Sequence, residues 1–423
     1  MAELKREARA TRAMQPGHRV VLLTGGAALF ASLVECIDKA RAEVLLETYI
    51  FAFEGAPLVV AEALERAARR GLDVRVVVDG IGTGEIPAEW QQRWRAAGVS
   101  WRIFNPARGW RVILPKGWRR MHRKLAVVDC RVAFCGGINL VDDYLDPSHG
   151  RLEQPRFDFA VRVTGPLVAD VQETMTRLWL RMQAAREVAR HDFKAARVAV
   201  QAAAKAGADA ADDELASDDF RADTKAGHDG VLAGLMVRDN FRYRQRIERF
   251  YRYAIAQAQS EVLIANAYFV PGLALQRSLL RAAKRGVRIT LLLQGRYEYF
   301  MQHHTSRAMY GVMLDAGIKI IEYEASFLHA KVAVFDGVHG AMSTVGSSNL
   351  DPISLLLARE ANVFIRDDAF AAELRQHLVE AMQKVGVAIE PSTYGKRPLT
   401  VRSLAWLAYA MMRIALFATR HRY

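Results

Sequence analysis

The strongest constraint on this chain's fold is an internal repeat. AEVLLETYIF (42–51) returns as SEVLIANAYF (260–269), and AARRGLDVRVVVDG (67–80) returns as AAKRGVRITLLLQG (282–295). AAGVSWRIF (96–104) returns as DAGIKIIEY (315–323), in the same order and at similar spacing. Each copy alternates short β-branched runs with stretches carrying Ala, Arg, Leu and Glu at helical spacing. Gly71 and Gly286 stand where a helix must end before a strand. Strand, helix, strand, helix, strand, stated twice, predicts two α/β halves with a parallel or mixed sheet. Between them, 186–230 is Ala-rich and charge-mixed, which predicts a linker that is helical in part or disordered. The expected units are 1–185, the linker 186–230, a second unit 231–390 and a basic-apolar segment 391–423.

One pattern occurs once in each copy. The first reads His122-Arg-Lys124-Leu-Ala-Val-Val-Asp129, then Gly136-Gly137-Ile138-Asn139. The second reads His329-Ala-Lys331-Val-Ala-Val-Phe-Asp336, then Gly346-Ser347-Ser348-Asn349. Residues two apart on a strand share a face, so each His and Lys should project together. Asp129 and Asp336 lie at an odd separation from their histidines and should organise the site more than touch a substrate. Six residues separate Asp129 from Gly136 but nine separate Asp336 from Gly346, as though three were added near His339, Gly340 and Ala341. Glu47 and Asn266 read as equivalent strand positions near the site.

This chemistry suits attack on a phosphodiester. Two imidazoles can divide nucleophile and proton donor, because histidine titrates near neutral pH. Two lysines and two asparagines, Asn139 and Asn349, can hold phosphate oxygens as charge redistributes. No carboxylate cluster with metal-ligand character stands out, so no metal or other cofactor is expected.

The doubled pattern resembles the phospholipase D superfamily, whose signature is HxKxxxxD followed by a glycine-serine element ending in Asn. RRMHRKLAVVDCRVAFCGGIN, EVLIANAYFVPG, LHAKVAVFDG and TVGSSNLDPISL look like the bacterial cardiolipin synthases, most of all the short B type. The resemblance covers nearly the whole chain. It implies two α/β/α sandwich halves about a pseudo-two-fold axis, sharing one active site. It implies His122, Lys124, Asp129, His329, Lys331 and Asp336 as the catalytic set, with His122 the nucleophile and His329 the acid and base. It implies that Asp158 orients His122 and Glu360 orients His329. The reaction implied is phosphatidyl transfer between two phosphatidylglycerols through a phosphatidyl-histidine, giving cardiolipin and glycerol. Phosphatidylethanolamine as donor or co-substrate, or hydrolysis by water, are alternatives within the same chemistry.

Charge bears on the partner. Lys and Arg number 59 against 46 Asp and Glu, a formal net charge of +13. That permits nucleic acid or an acidic membrane surface. A superfamily nuclease is commonly a short chain with one copy of the pattern, so two fused copies and an apolar tail count against it. Intact His and Lys pairs count against a binding protein with a decayed site. Trp110 and Trp118, interleaved with Arg108, Arg111, Lys116, Arg119 and Arg120, suit a headgroup layer. His303 and His304 read as polar surface. Trp406, Tyr409 and Phe417 among Arg402, Arg413, Arg420 and Arg422 suit a helix in the membrane interface, or else a helix packed on the domain. The charged N-terminus lacks a secretory pattern, and the three cysteines read as reduced thiols. The expected place is the cytoplasmic face of the bacterial inner membrane, held peripherally by anionic lipid, with no nucleic acid partner.

Overall fold

The computed structural model describes residues 14–106, 119–146, 149–190, 192–213, 230–238, 245–297, 300–351, 358–395 and 397–418. The first half runs β1 (Gln15–Thr24), α1 (Gly25–Asp38), β2 (Glu43–Thr48), α2 (Leu58–Arg69), β3 (Asp73–Asp79), α3 (Ala88–Ala97) and β4 (Ser100–Phe104). It continues through β5 (Arg120–Met121), β6 (Leu125–Val128), β7 (Val132–Gly136), the short pair β8 (Leu145–Asp146) and β9 (Gly150–Arg151), and β10 (Phe159–Thr164). Two helices follow, α4 (Leu167–Ala189) and α5 (Phe193–Asp213).

The second half repeats the plan with β11 (Val231–Arg238), α6 (Arg246–Gln257), β12 (Glu261–Asn266), α7 (Leu273–Lys284), β13 (Arg288–Gln294), α8 (Phe300–Asp315) and β14 (Lys319–Tyr323). Then come β15 (Lys331–Phe335), β16 (Met342–Gly346), β17 (Ala358–Arg366), α9 (Asp368–Val385), β18 (Gly386–Ala388), α10 (Pro391–Gly395) and α11 (Leu399–Ala418).

One continuous sheet carries both halves. Its order is β4-β3-β2-β6-β7-β10-β1-β11-β17-β16-β15-β12-β13-β14-β18. Apart from β18, the order reads the same from either end, which is the signature of a two-fold relation between the halves. The join is antiparallel, β1 against β11. Within each half the outer strands run parallel, β2-β3-β4 and β12-β13-β14, and the motif strands β6 and β15 run antiparallel to β2 and β12. Gly71 and Gly286 end α2 and α7 in the left-handed region, at φ 87° and 91°, which a side chain would strain.

Alternation along the strands divides the core into layers. Val44 and Leu46 of β2 face α1 to α3, while Leu45 faces the other way. The outer helices of each half therefore build separate cores. A third core is common property: Leu167, Val168 and Val171 of α4 and Leu374 and Leu378 of α9 pack with strands of both halves.

The stretch expected as a linker is helical through Asp213, because α4 carries on past residue 186 and α5 packs back against it. The three extra residues after Asp336 sit in the turn between β15 and β16. Val332 still faces Val345 as Leu125 faces Cys135, and Leu350 still bridges Phe269 as Leu140 bridges Phe51, so the second Gly-Ser element keeps its register. The pairing of β12 with β15 also moves one equivalence. Asn266 lies opposite Lys331, and its counterpart in the first half is Thr48, while Glu47 corresponds to Ala265. The expected match of Glu47 with Asn266 was one residue out of register. Trp110, Trp118, Arg108, Arg111 and Lys116 lie outside the described residues, as do Arg420, Arg422 and the side chains of Arg402, Arg413 and Phe417.

Candidate active site

The two histidines stand just before β6 and β15, and each is held by the other half. His122 N donates to Arg359 O at 3.0 Å, and His329 N donates to Phe157 O at 3.0 Å. The next residue beyond each of those carbonyls is the acid that meets the imidazole. His122 Nδ1 lies 3.1 Å from Glu360 Oε2, and His329 Nδ1 lies 2.6 Å from Asp158 Oδ2. The pairing is thus crossed. The expectation that Asp158 serves His122 and Glu360 serves His329 is overturned, because β5 runs parallel to the start of β17 and brings Met121 beside Arg359. Leu328 bridges Phe157 in the same way.

The lysines point back toward the same place. Lys124 Nζ donates to His122 O at 2.8 Å, and Lys331 Nζ donates to His329 O. All four groups lie within electrostatic reach: Lys124, Lys331 and His122 each act on His329, and Lys331 acts on His122 and Lys124. Burial holds Lys124 down to about 7, with Lys331 adding to the effect and Glu360 opposing it. Burial, reinforced by Lys331, Lys124 and His122, keeps His329 well below the ordinary histidine value. His122 is lowered by burial and Lys124 against the pull of Glu360. Both imidazoles are therefore neutral at neutral pH, with Nδ1 facing a carboxylate and Nε2 left for chemistry.

The two carboxylates differ. Burial raises Glu360, but His122 and Arg238 more than offset it, and the group ends below its ordinary value. Ser347 Oγ donates to it at 2.5 Å, and Arg238 lies 3.9 Å away. The position matching Ser347 is Gly137, where a Cβ would meet Asp158 Oδ1 at 2.3 Å. Glycine there leaves room for Asp158 and gives it no hydroxyl. Burial pushes Asp158 up to about 7, with Lys331 opposing.

Asp129 and Asp336 act elsewhere. Asp129 accepts the amides of Arg41, Ala42 and Glu43 at 2.8, 2.8 and 3.1 Å. Asp336 accepts those of Gln259, Ser260 and Glu261 at 3.0, 2.6 and 3.0 Å. Their grouping with the catalytic residues is corrected to a structural one: they anchor the start of β2 and β12 at the far end of the motif strand. Asn139 and Asn349 are buried; Asn139 Oδ1 accepts Ile50 N at 3.2 Å, while Asn349 Oδ1 has no partner among the described residues.

Three neighbours escaped the sequence reading. Tyr49 packs against His122 with ring centroids 4.9 Å apart and planes tilted by 58°, and Lys124 Nζ lies 5.3 Å from the same ring. Arg123, between His122 and Lys124, is buried against Glu47 at 2.8 Å, outside hydrogen-bond angles and so held by charge. Arg238 backs Glu360. Tyr49, Arg123 and Glu47 correspond to Ala267, Ala330 and Ala265, and that asymmetry between copies was the available signal. His303 does not stand free: its Nδ1 accepts from Arg307 at 2.7 Å, and Arg307 in turn meets Glu322 at 2.8 Å.

A family model described as "Cardiolipin synthase, PLD-like domain" matches residues 33–179 and 251–382. Cardiolipin synthase B of Escherichia coli K12 is 35% identical over 362 residues, covering 86% of this chain and 80% of that protein. Cardiolipin synthase B of Salmonella typhi is 33% identical over 408 residues, 94% of this chain and 88% of that one. The crystal structure of a phosphatidylserine synthase from Haemophilus influenzae superposes with a TM-score of 0.66 at 13% identity, covering 98% of this chain and 99% of that chain, which is a likeness of fold.

Proposed function

Because the chain belongs to the cardiolipin synthase family of phospholipase D-like proteins, we propose that it moves a phosphatidyl group from one phosphatidylglycerol to another. His122 Nε2 attacks phosphorus as the bond to glycerol breaks. His329 gives the leaving oxygen its proton, and a phosphatidyl-histidine remains. His329 then takes the proton of the second lipid's glycerol hydroxyl, whose oxygen attacks phosphorus and releases His122. Lys124, Lys331, Asn139 and Asn349 hold the non-bridging oxygens.

The crossed pairs carry this division of labour. Two acceptors, Glu360 and the Ser347 carbonyl at 3.2 Å, fix the proton on His122 Nδ1 and leave Nε2 a lone pair. The ionised Glu360 supports that nitrogen's basicity. Asp158, at about 7, shares a proton with His329 near neutral pH, as an acid-base pair requires.

The lipid substrate calls for a bilayer. Among the described residues no helix is long and apolar enough to cross one. α11 buries Ala405, Ala408 and Met412 and exposes Leu404, Trp406, Leu407, Met411 and Ile414 along one face. That face and the +13 charge support a peripheral seat on anionic lipid, which we assign to the cytoplasmic face of the bacterial inner membrane.

Purified protein on phosphatidylglycerol vesicles is expected to release glycerol and form cardiolipin, with His122→Ala lowering the rate at least about 1,000-fold. Mass spectrometry of the trapped intermediate should place the phosphatidyl group on His122. Wild-type turnover by His122→Ala would sink the reading, and an adduct on His329 would reverse the two roles. Mixed vesicles containing phosphatidylethanolamine identify the donor and acceptor.

A further inference from the structure

The strands β3 and β13 end in residues that the reaction above does not use. Asp79 closes β3 and Gln294 closes β13, at matching places in the repeat. Both are buried. Asp79 Oδ2 accepts the backbone amide of Met121 at 2.7 Å. Gln294 Oε1 accepts the amide of Leu328, also at 2.7 Å. Met121 and Leu328 immediately precede His122 and His329. The two side chains differ in charge and length, yet each sets an acceptor oxygen on the amide of the residue just before its motif histidine.

The following amide is tied as well, since His122 N and His329 N bond to Arg359 O and Phe157 O of the opposite half. Two successive peptide units are therefore fixed on each side of the site, one by each half. The φ and ψ rotations of Met121 and of Leu328, which lie between those units and carry the histidine's Cα, are thereby restrained.

Asp79 does a second job. Its Oδ1 accepts the amides of Ile81 and Gly82 at 2.8 and 3.2 Å, which folds the loop after β3. Gly82 then lies so close to Tyr49 that a Cβ there would meet two of its ring carbons at 2.8 Å. The Tyr49 ring lies in turn against His122. Both rings meet a carboxylate, but His122 has the Tyr49 ring against it as well, whereas Ala267 stands at the tyrosine's place on the His329 side.

We propose that Asp79 and Gln294 are positioning residues for the two histidines, each aiming its imidazole by holding the amide that precedes it. The inference rests on the phosphatidyl-transfer reading for its kinetic test and on spectroscopy for a test that needs no turnover. Gln294→Met removes the acceptor at nearly constant volume, and Gln294→Glu keeps one, as Asp79 does. On phosphatidylglycerol vesicles Gln294→Met is expected to lower kcat about 10- to 100-fold, the cost of a misaimed catalytic group, with KM within about twofold. Gln294→Glu recovers most of that rate, and Asp79→Leu falls further than Gln294→Met. In full-length protein labelled with 15N-histidine, and with His329 assigned by His329→Ala, Gln294→Met shifts the His329 titration toward an ordinary histidine. Gln294→Glu leaves it in place. A His329 titration unmoved by Gln294→Met overturns the proposal, whether or not the wild type makes cardiolipin. So does a loss of rate that only tracks a fall in melting temperature and that Gln294→Glu does not restore. Absence of product from the wild type, with the titration shift present, would count against the functional reading alone.

Discussion

Burial sets the charge states on which this site depends. Lys124 loses its proton near 7 in place of the ordinary lysine range, so its charge is present below about 7 and lost above it. Asp158 moves the other way: raised to about 7, it ionises only as pH climbs through that value, and the His329–Asp158 pair carries its extra proton below it. Burial lowers His122, so its neutral, nucleophilic form reaches further to the acid side than an ordinary histidine's. All three point in one direction. kcat/KM is expected to be highest below about 7 and to fall as pH rises through it, by more than one proton's slope. Lys124→Arg, whose guanidinium stays charged, should soften the fall to a single proton. A profile flat from about 6 to about 9 would show that these groups are not the ones titrating. At this scale the sequence named His122, Lys124, His329 and Lys331, because their types and spacing already state the chemistry. It offered for Tyr49 only the asymmetry with Ala267, and it did not name Asp79 or Gln294, whose importance comes from what they touch.

At the scale of elements, the repeat made the strands and helices legible. A helix ended by Gly71 or Gly286 and a strand such as VRVVVD are decided by local preference and alternation. Local reading left more open where an element depended on a distant surface. The Ala-rich stretch carries little branched apolar content, and it is helical through Asp213 because α5 lies along α4. α11 illustrates the same point in reverse. Its small buried residues, Ala405 and Ala408, fit it against α8 and leave the larger apolar residues facing out. Leu407→Glu with Met411→Glu should weaken binding to phosphatidylglycerol vesicles at least about tenfold while the melting temperature holds. Equal binding by cosedimentation would remove α11 from the membrane contact.

The whole molecule is where the two copies become one catalyst. Neither His has its carboxylate within its own half, and the core under α4 and α9 draws on strands of both. Continuity through β1 and β11 holds the halves in that relation. A protease site engineered into 214–229, once cut, should therefore leave a stable pair of fragments that keeps at least about half its activity, measured after gel filtration. Fragments that part, or that stay together without activity, would show that the covalent link is needed. The doubled motif, the α/β class and the division into halves were settled by the sequence, because repeats, periodicity and residue chemistry are local properties. Which acid serves which histidine was not. Equivalent positions in a repeat look alike whether each serves its own half or the other, and only the crossing of β5 with β17 across the two-fold decided it.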